Sequence, residues 1–237
     1  MKTALVTGST QGIGKAIAAR LIKNGYRVIV HCSSDMQKAE RVRAEIGAQK
    51  AVVCDLSDTE QVAALKEKTG DVDVLILNAS VQYKETWENI TDENLQKQLQ
   101  INFVSTVKLM QAYCPAMQKN GWGRIITIGS VNQHRQHPEL SVYSATKCAV
   151  MKFVEVMAKQ VAPYGVTVNN VSPGAIATPR NESVYNDAAA RKKVEACIPL
   201  GRFGLPEECA GIVTFLSSDE AGYITGADFR ADGGMSL

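Results

Sequence analysis

The chain is 237 residues long, 45 % apolar and 21 % charged, which suits one large α/β domain or two small ones and is ordinary for a globular protein. Its net charge of +2 comes from intermingled acids and bases, which argues against a nucleic-acid groove or a membrane-binding surface. There is no apolar run of about 18 residues and no signal-like leader, and six scattered cysteines form no CxxC pair, so a cytoplasmic protein with reduced thiols is expected.

Short apolar, β-rich runs alternate with longer stretches of helical periodicity. Taken in chain order, strands are predicted at 4–7, 27–31, 51–54, 74–78, 124–129, 167–172 and 228–231, and helices at 14–23, 36–46, 59–68, 92–119, 142–162 and 206–216. Several strands, such as "VLIL" and "RIITIG", are apolar on both faces, as in a parallel sheet covered by helices on each side. Right-handed crossovers then favour a doubly wound sheet. No repeat, low-complexity tract or linker interrupts the chain, so residues 1–237 are read as a single domain. Residues 175–205 form a connection far longer than the usual two to six residues. Their charged stretch "NESVYNDAAARKKVEA" predicts one or two short surface helices. A lid over a binding site is the preferred reading, and a solvated excursion without function is the plain one.

"ALVTGSTQGIGKAIA" sets Gly8, Gly12 and Gly14 between the first strand and first helix. Glycines there permit a tight turn and a close approach of backbone N–H groups to a pyrophosphate, and the helix N-terminus adds partial positive charge. The spacing is GxxxGxG, not GxGxxG, and an ordinary glycine turn is the alternative; the strand-to-helix context favours the phosphate loop.

Together with that loop, Asp55, "NAS" at 78–80, Ser130, Tyr143-xxx-Lys147 and "PGAIATP" at 173–179 resemble the short-chain dehydrogenase/reductase family across essentially the whole chain. The 13 residues from Ser130 to Tyr143 match the family's spacing. The resemblance implies a Rossmann-type, seven-stranded parallel sheet, a nicotinamide cofactor, and a homotetramer or homodimer acting on a small-molecule substrate. It places the cofactor against Gly8, Thr10, Gln11, Gly12, Ile13 and Gly14, then against Cys32, Ser33 and Ser34. Asp55, Leu56, Asn78 and Ala79 would follow, with Pro173, Gly174, Ile176 and Thr178 on the far side and Tyr143 and Lys147 at the nicotinamide ribose. One departure stands out: the family's "NNAG" is "LNAS" here, with Leu77 and Ser80 in place of Asn and Gly.

Residues i and i+4 share a helix face, so Tyr143 and Lys147 are expected to point into one cleft. A free tyrosine titrates near about 10, too high for a ready base. A lysine charge about 4 Å away at an effective dielectric near 20 favours phenolate by about 4 kcal/mol, before the lysine's own desolvation is subtracted. Tyr143 is therefore the expected general acid/base. By the resemblance, Lys147 also holds the nicotinamide ribose. Ser130, at the end of the fifth strand, is expected to hold the substrate oxygen, with a plain turn serine as the alternative. Asn102 in "LQINFVST" matches the family's helix asparagine, which organises a water linking Lys147 to solvent, or else is a buried hydrogen-bonding residue.

At the end of the second strand, where NAD-preferring members carry an acid, this chain has Cys32. No carboxylate there opposes a 2′-phosphate, but Gln11 and Ser33 supply no arginine to hold one; NADP(H) is favoured over NAD(H), with dual use open. Asp35 is a candidate helix cap. Residues 173–208 resemble the lid segment of bacterial glucose 1-dehydrogenases, which implies a sugar, polyol or sugar acid. Gln82, Asn132, Gln133 and His134 are expected near the catalytic mouth, and Arg180 and Arg135 to meet a carboxylate or phosphate. His134-xx-His137 lacks further ligands, so no metal is expected. The alternatives are a 3-oxoacyl thioester reductase, which a basic surface near the cleft would favour, and a dinucleotide-binding sensor without turnover.

Overall fold

The computed structural model describes residues Met1–Leu237. Seven strands form one parallel sheet: β1 (Thr3–Val6), β2 (Arg27–Cys32), β3 (Lys50–Val53), β4 (Val74–Leu77), β5 (Gly123–Ile128), β6 (Val166–Pro173) and β7 (Asp228–Ala231). Their order is β3-β2-β1-β4-β5-β6-β7. In register, Leu5 faces Ile29 on one side and Leu75 on the other. This is the expected doubly wound, Rossmann-type α/β fold, each strand end within a residue or so of its predicted place.

Alternation along the strands divides the core into two layers. Leu5, Ile29, Leu75, Ile125 and Val168 face one side, against helices α3 (Thr59–Thr69), α5 (Ser105–Lys119) and α6 (Ser141–Val161), where Leu65, Met110, Tyr113 and Val154 fill the space. Their neighbours Ala4, Val6, Val28, Val30, Ile76 and Ile126 face the other side, against α1 (Gly12–Lys23), α2 (Met36–Ile46) and α9 (Pro206–Leu216), packing on Ile17, Leu21, Ala39 and Val213. Because β1 leads on to β2 and its other neighbour β4 leads on to β5, the connections leave the carboxyl ends of β1 and β4 in opposite directions and open a crevice between them.

Two regions depart from the simple pattern. The helix predicted over 92–119 is α4 (Asp92–Leu99), a π-helical turn over Gln100–Val104, then α5. The looser ladder is compatible with hydroxyls that take up carbonyls: Ser105 Oγ donates to Ile101 O (2.7 Å) and Thr106 Oγ1 to Asn102 O (3.1 Å). Such turns concentrate at functional sites, and Asn102 sits at its centre. The excursion over 175–205 carries α7 (Glu182–Asn186) and α8 (Ala188–Glu195), neither with a buried residue. Its ends are clipped together, Gly204 N–H donating to Ala175 O and Ala177 N–H to Gly204 O, both at 2.9 Å. No helix is long and apolar enough to cross a membrane.

Candidate active site

The crevice opens into a cavity of about 680 Å³ at the carboxyl ends of the strands, a size typical of small-molecule sites. Gly8, Thr10, Gln11, Gly12, Ile13 and Gly14 line one end of it. The glycines are needed there: Gly8 and Gly12 have φ of 62° and 53°, and a Cβ on Gly14 would lie 2.4 Å from Gly8 O and 2.5 Å from Asn78 Nδ2. Asn78 holds the loop from β4, its Nδ2 donating to Thr7 O (2.8 Å) and Gly8 O (3.1 Å).

A further support was not expected from the sequence. The His31 ring lies between loop and sheet: Gly8 N–H donates to its Nδ1 (3.0 Å), and Nε2 is 2.9 Å from Cys54 O. An acceptor at Nδ1 places the proton on Nε2, which donates to that carbonyl. Burial pushes the imidazole down to about 4, so it stays neutral and keeps its acceptor. In sequence His31 is one residue of an apolar strand, and only its placement between Gly8 and Cys54 gives it a role.

Cys32, Ser33, Asp55, Leu56, Asn78 and Ala79 continue the lining, and Pro173, Gly174, Ile176 and Thr178 close the opposite wall. Ser34 is not part of that lining. Asp35 caps α2 by accepting from Lys38 N–H at 2.8 Å, as expected. That cap puts Lys38 in the first helical turn, where it lines the cavity and donates from Nζ to Gln11 Oε1 at 2.7 Å. Where Gln11 and Ser33 provide no arginine, the helix start supplies a lysine.

At the other end, β5 delivers Ser130 and α6 delivers Tyr143 and Lys147. Tyr143 lines the cavity. Lys147 is buried behind it, its Nζ donating to Ile128 O at 2.7 Å and lying 5.6 Å from the Tyr143 ring centre. The two side chains share a helix face, as the i, i+4 spacing predicts. Burial, reinforced by the Arg180 charge, pushes the Lys147 ammonium down to about 7. Desolvation therefore takes back much of the charge the sequence argument assigned to Lys147. Asn102 is buried; its Oδ1 accepts from Val81 N–H (2.9 Å), and its Nδ2 donates to Val81 O (2.9 Å) and Thr146 Oγ1 (3.2 Å). Its amide thus ties the loop after β4 to α6.

Of the expected substrate residues, Gln82, Asn132, Ser130, Tyr143 and Arg180 line the cavity. Gln133 and His134 do not. Both turn away to the carboxylate of Asp228 on β7, Gln133 Nε2 at 3.1 Å and His134 Nε2 at 2.7 Å. An acceptor almost a hundred residues further on outcompetes the cleft for them. Arg180 reaches across from the 175–205 segment, its Nη2 donating to Ser80 O (2.6 Å) and Ser80 Oγ (3.1 Å). Ser80, the departure from the family pattern, is therefore where that segment touches the β4 loop. Lys84, Arg135 and His137 also line the mouth. No group of three or more His, Cys, Asp or Glu side chains is placed to hold a metal ion.

A glycine-lined turn over a helix N-terminus, at a crevice that ends on a tyrosine–lysine pair, defines a dinucleotide-dependent oxidoreductase site. The comparisons agree. The family model described as enoyl-(acyl carrier protein) reductase matches residues 8–236. The chain is 39 % identical to the 3-oxoacyl-[acyl-carrier-protein] reductase FabG of Haemophilus influenzae, over 100 % of this chain and 98 % of that protein. It superposes with TM-score 0.92 and 34 % identity on an NADP-bound 3-oxoacyl (acyl-carrier-protein) reductase from Agrobacterium tumefaciens, covering 98 % and 93 % of the two chains. A protein from the same species described provisionally as a gluconate dehydrogenase gives TM-score 0.93 at 28 % identity, covering 99 % and 96 %. The chain belongs to the short-chain dehydrogenase/reductase family and is an NAD(P)(H)-dependent oxidoreductase.

The residues fit such a cofactor. Gly8, Thr10, Gln11 and Gly12 bring the loop to the cavity wall at the N-terminus of α1, where phosphates are favoured, and Lys38, Gln11 and Ser33 border the end where the adenosine would lie. When bound, the nicotinamide ring gives or takes the hydride.

Proposed function

We propose that this protein interconverts a secondary alcohol and a carbonyl on a small polyhydroxy carboxylate, a sugar acid, using NADP(H). The observation that carries the reading is Arg180. Its guanidinium bridges the cleft at Ser80, its charge reaches Lys147, and it belongs to none of the ten ion pairs of the molecule. A guanidinium without a carboxylate partner at the reacting end is matched by an anion a few bonds from the reacting carbon. Gln82 and Asn132 supply amides for hydroxyl groups, and residues 175–205, through Val184, Val194 and Phe203, cover the site as a lid.

In the reducing direction the Ser130 hydroxyl donates to the substrate oxygen, and the Tyr143 hydroxyl gives its proton to that oxygen as negative charge develops there. In oxidation the phenolate takes the alcohol proton. Lys147 favours the phenolate to the extent that it is charged. Lys38 and the absence of a carboxylate at Cys32 support a 2′-phosphate and hence NADP(H). Six free cysteines suit a reducing cytoplasm, and the family resemblance supports a homotetramer or homodimer.

A second reading has its own observation. Lys84, Arg135 and His137 form a basic group at the mouth, with burial and then the Lys84 charge holding the His137 imidazole below its ordinary value. Such a group suits the phosphate of a carrier-linked 3-oxoacyl thioester, the substrate class for which the Haemophilus relative is named.

The test is turnover, followed by NADPH absorbance, on sugar acids, the matching uncharged polyols and 3-oxoacyl thioesters. Arg180→Met should raise KM about 10-fold or more for acids, the worth of one charge-assisted pair, and leave polyols unchanged. Turnover of thioesters alone, unaffected by Arg180→Met, would overturn the sugar-acid reading.

A further inference from the structure

The Asp228 carboxylate, 13 % exposed at the end of β7, is placed with unusual completeness. Oδ1 accepts from Asn170 Nδ2 (2.6 Å) and Ser172 Oγ (2.7 Å), both on β6. Oδ2 accepts from Gln133 Nε2 (3.1 Å) and lies 2.7 Å from His134 Nε2. A carboxylate has about four acceptor sites, and all are used. Asn170 is itself fixed, its Oδ1 accepting from Thr127 Oγ1 on β5 at 2.5 Å. One oxygen of Asp228 is therefore locked to the sheet, which aims the other at Gln133.

Gln133 carries that placement to the reacting end. Its Oε1 accepts from Ser130 N–H at 3.3 Å, while Ser130 O accepts from Gln133 N–H at 3.0 Å, a reciprocal capping arrangement that closes the turn. Within that turn Ser130 Oγ accepts from Asn132 N–H at 3.2 Å, which orients its proton and remaining lone pair. Gly129 makes room for the link: a Cβ there would meet both Asn170 Nδ2 and Gln133 Oε1 at 2.5 Å.

We propose that Asp228 and Gln133 are positioning residues for Ser130, a relay of hydrogen bonds that holds its hydroxyl at the angle the substrate oxygen requires. Neither side chain lines the cavity, so neither is a catalytic residue. The proposal rests on the reading of Ser130 as the group that holds the substrate oxygen. It does not depend on which alcohol or carbonyl is the substrate.

The experiment measures kcat, KM and NADPH affinity for Ser130→Ala, Gln133→Ala and Asp228→Ala, and for the latter two in the Ser130→Ala background, on any substrate the protein turns over. Gln133→Ala and Asp228→Ala should each lower kcat about 10-fold, the worth of one net hydrogen bond, with NADPH affinity unchanged. Neither should lower it further once Ser130 is alanine, because the hydroxyl they aim is gone. Gln133→Ala leaves three of Asp228's four hydrogen bonds in place, so it carries the test if Asp228→Ala fails to fold. A reversed pair gives rescue: Gln133→Glu places two carboxylates face to face and Asp228→Asn two amide NH2 groups, whereas together they restore the bond with its donor exchanged. The double variant should recover most of kcat. An equal loss with and without Ser130, or no rescue by the reversed pair, would show a merely structural role and overturn the proposal. Full activity of Ser130→Ala would instead remove the reading of Ser130 itself.

Discussion

Two turns at the same edge of the sheet build this site by different means. The phosphate loop between β1 and α1 takes its path from its own glycines, with positive φ at Gly8 and Gly12 and a Gly14 that admits no side chain, and Asn78 and His31 then brace it. The turn after β5 has an ordinary backbone, with Ser130 extended at φ −163°. Its shape is set by side chains, Gln133 and His134 drawn to a carboxylate on β7. One turn is a local steric solution and the other a long-range polar one. They differ accordingly in how substitutions should act and in how visible they are in the sequence.

The comparison breaks most sharply at Tyr143. Tyr143→Phe removes the proposed proton carrier and should lower kcat about 10²–10⁴-fold while NADPH affinity, measured by fluorescence titration, stays within a factor of about 2 of the parent. Loss of cofactor binding in that variant would show that the two halves are not separable. Gly14→Ala should do the reverse. Its Cβ would overlap a backbone carbonyl that cannot swing aside, costing about 2 kcal/mol of strain. NADPH affinity should then fall about 30-fold, with kcat at saturating cofactor little changed.

Legibility in the sequence follows the same division. The glycines, the strand periods and the Tyr143–Lys147 spacing are local patterns, and from them follow the sheet and the meeting of the glycine loop and Tyr143 in one cavity. Gln133 and His134 were expected at the substrate because a polar loop beside Ser130 looks like a mouth. Nothing near them in sequence announces Asp228. Asn102 was visible as a motif residue, but its use as a tie between Val81 and Thr146 depends on a π-helical turn that periodicity read as continuous helix. The i, i+4 spacing likewise shows that Lys147 shares a face with Tyr143 but not the depth at which its ammonium is buried.

His31 tests the local character of the phosphate loop. Its folded value of about 4 lies below the ordinary 6.5, so between those values the unfolded chain binds the proton that the fold excludes. Stability therefore rises with pH across that interval and falls as pH drops from 6.5 towards 4, by about 3 kcal/mol in total. Denaturant titrations at pH 6.5 and pH 4.5 should show about 2 kcal/mol of that loss, and His31→Gln, which puts an amide with no titrating group in place of the ring, should flatten it. An identical pH slope in the variant would mean that the ring does not carry the effect.

The smallest expected effect concerns Lys38, and it asks whether a cation placed by a helix cap can serve the phosphate loop without changing its shape. Asp35 starts α2 and so puts the Lys38 ammonium 2.7 Å from the Gln11 side chain, at the cavity end proposed to take the adenosine and its 2′-phosphate. Lys38→Met keeps most of the side-chain length and removes only the charge. One charge-assisted contact at a partly exposed site is worth about 1.5 kcal/mol, so KM for NADPH should rise about 10-fold while KM for NADH and kcat with either cofactor stay put. High salt should shrink the difference, because this end is open to solvent and its field is screened. If both cofactors weaken together, Lys38 supports the loop through Gln11 and does not read the phosphate. If neither changes, the proposed preference for NADP(H) is left to the absence of a carboxylate at Cys32 alone.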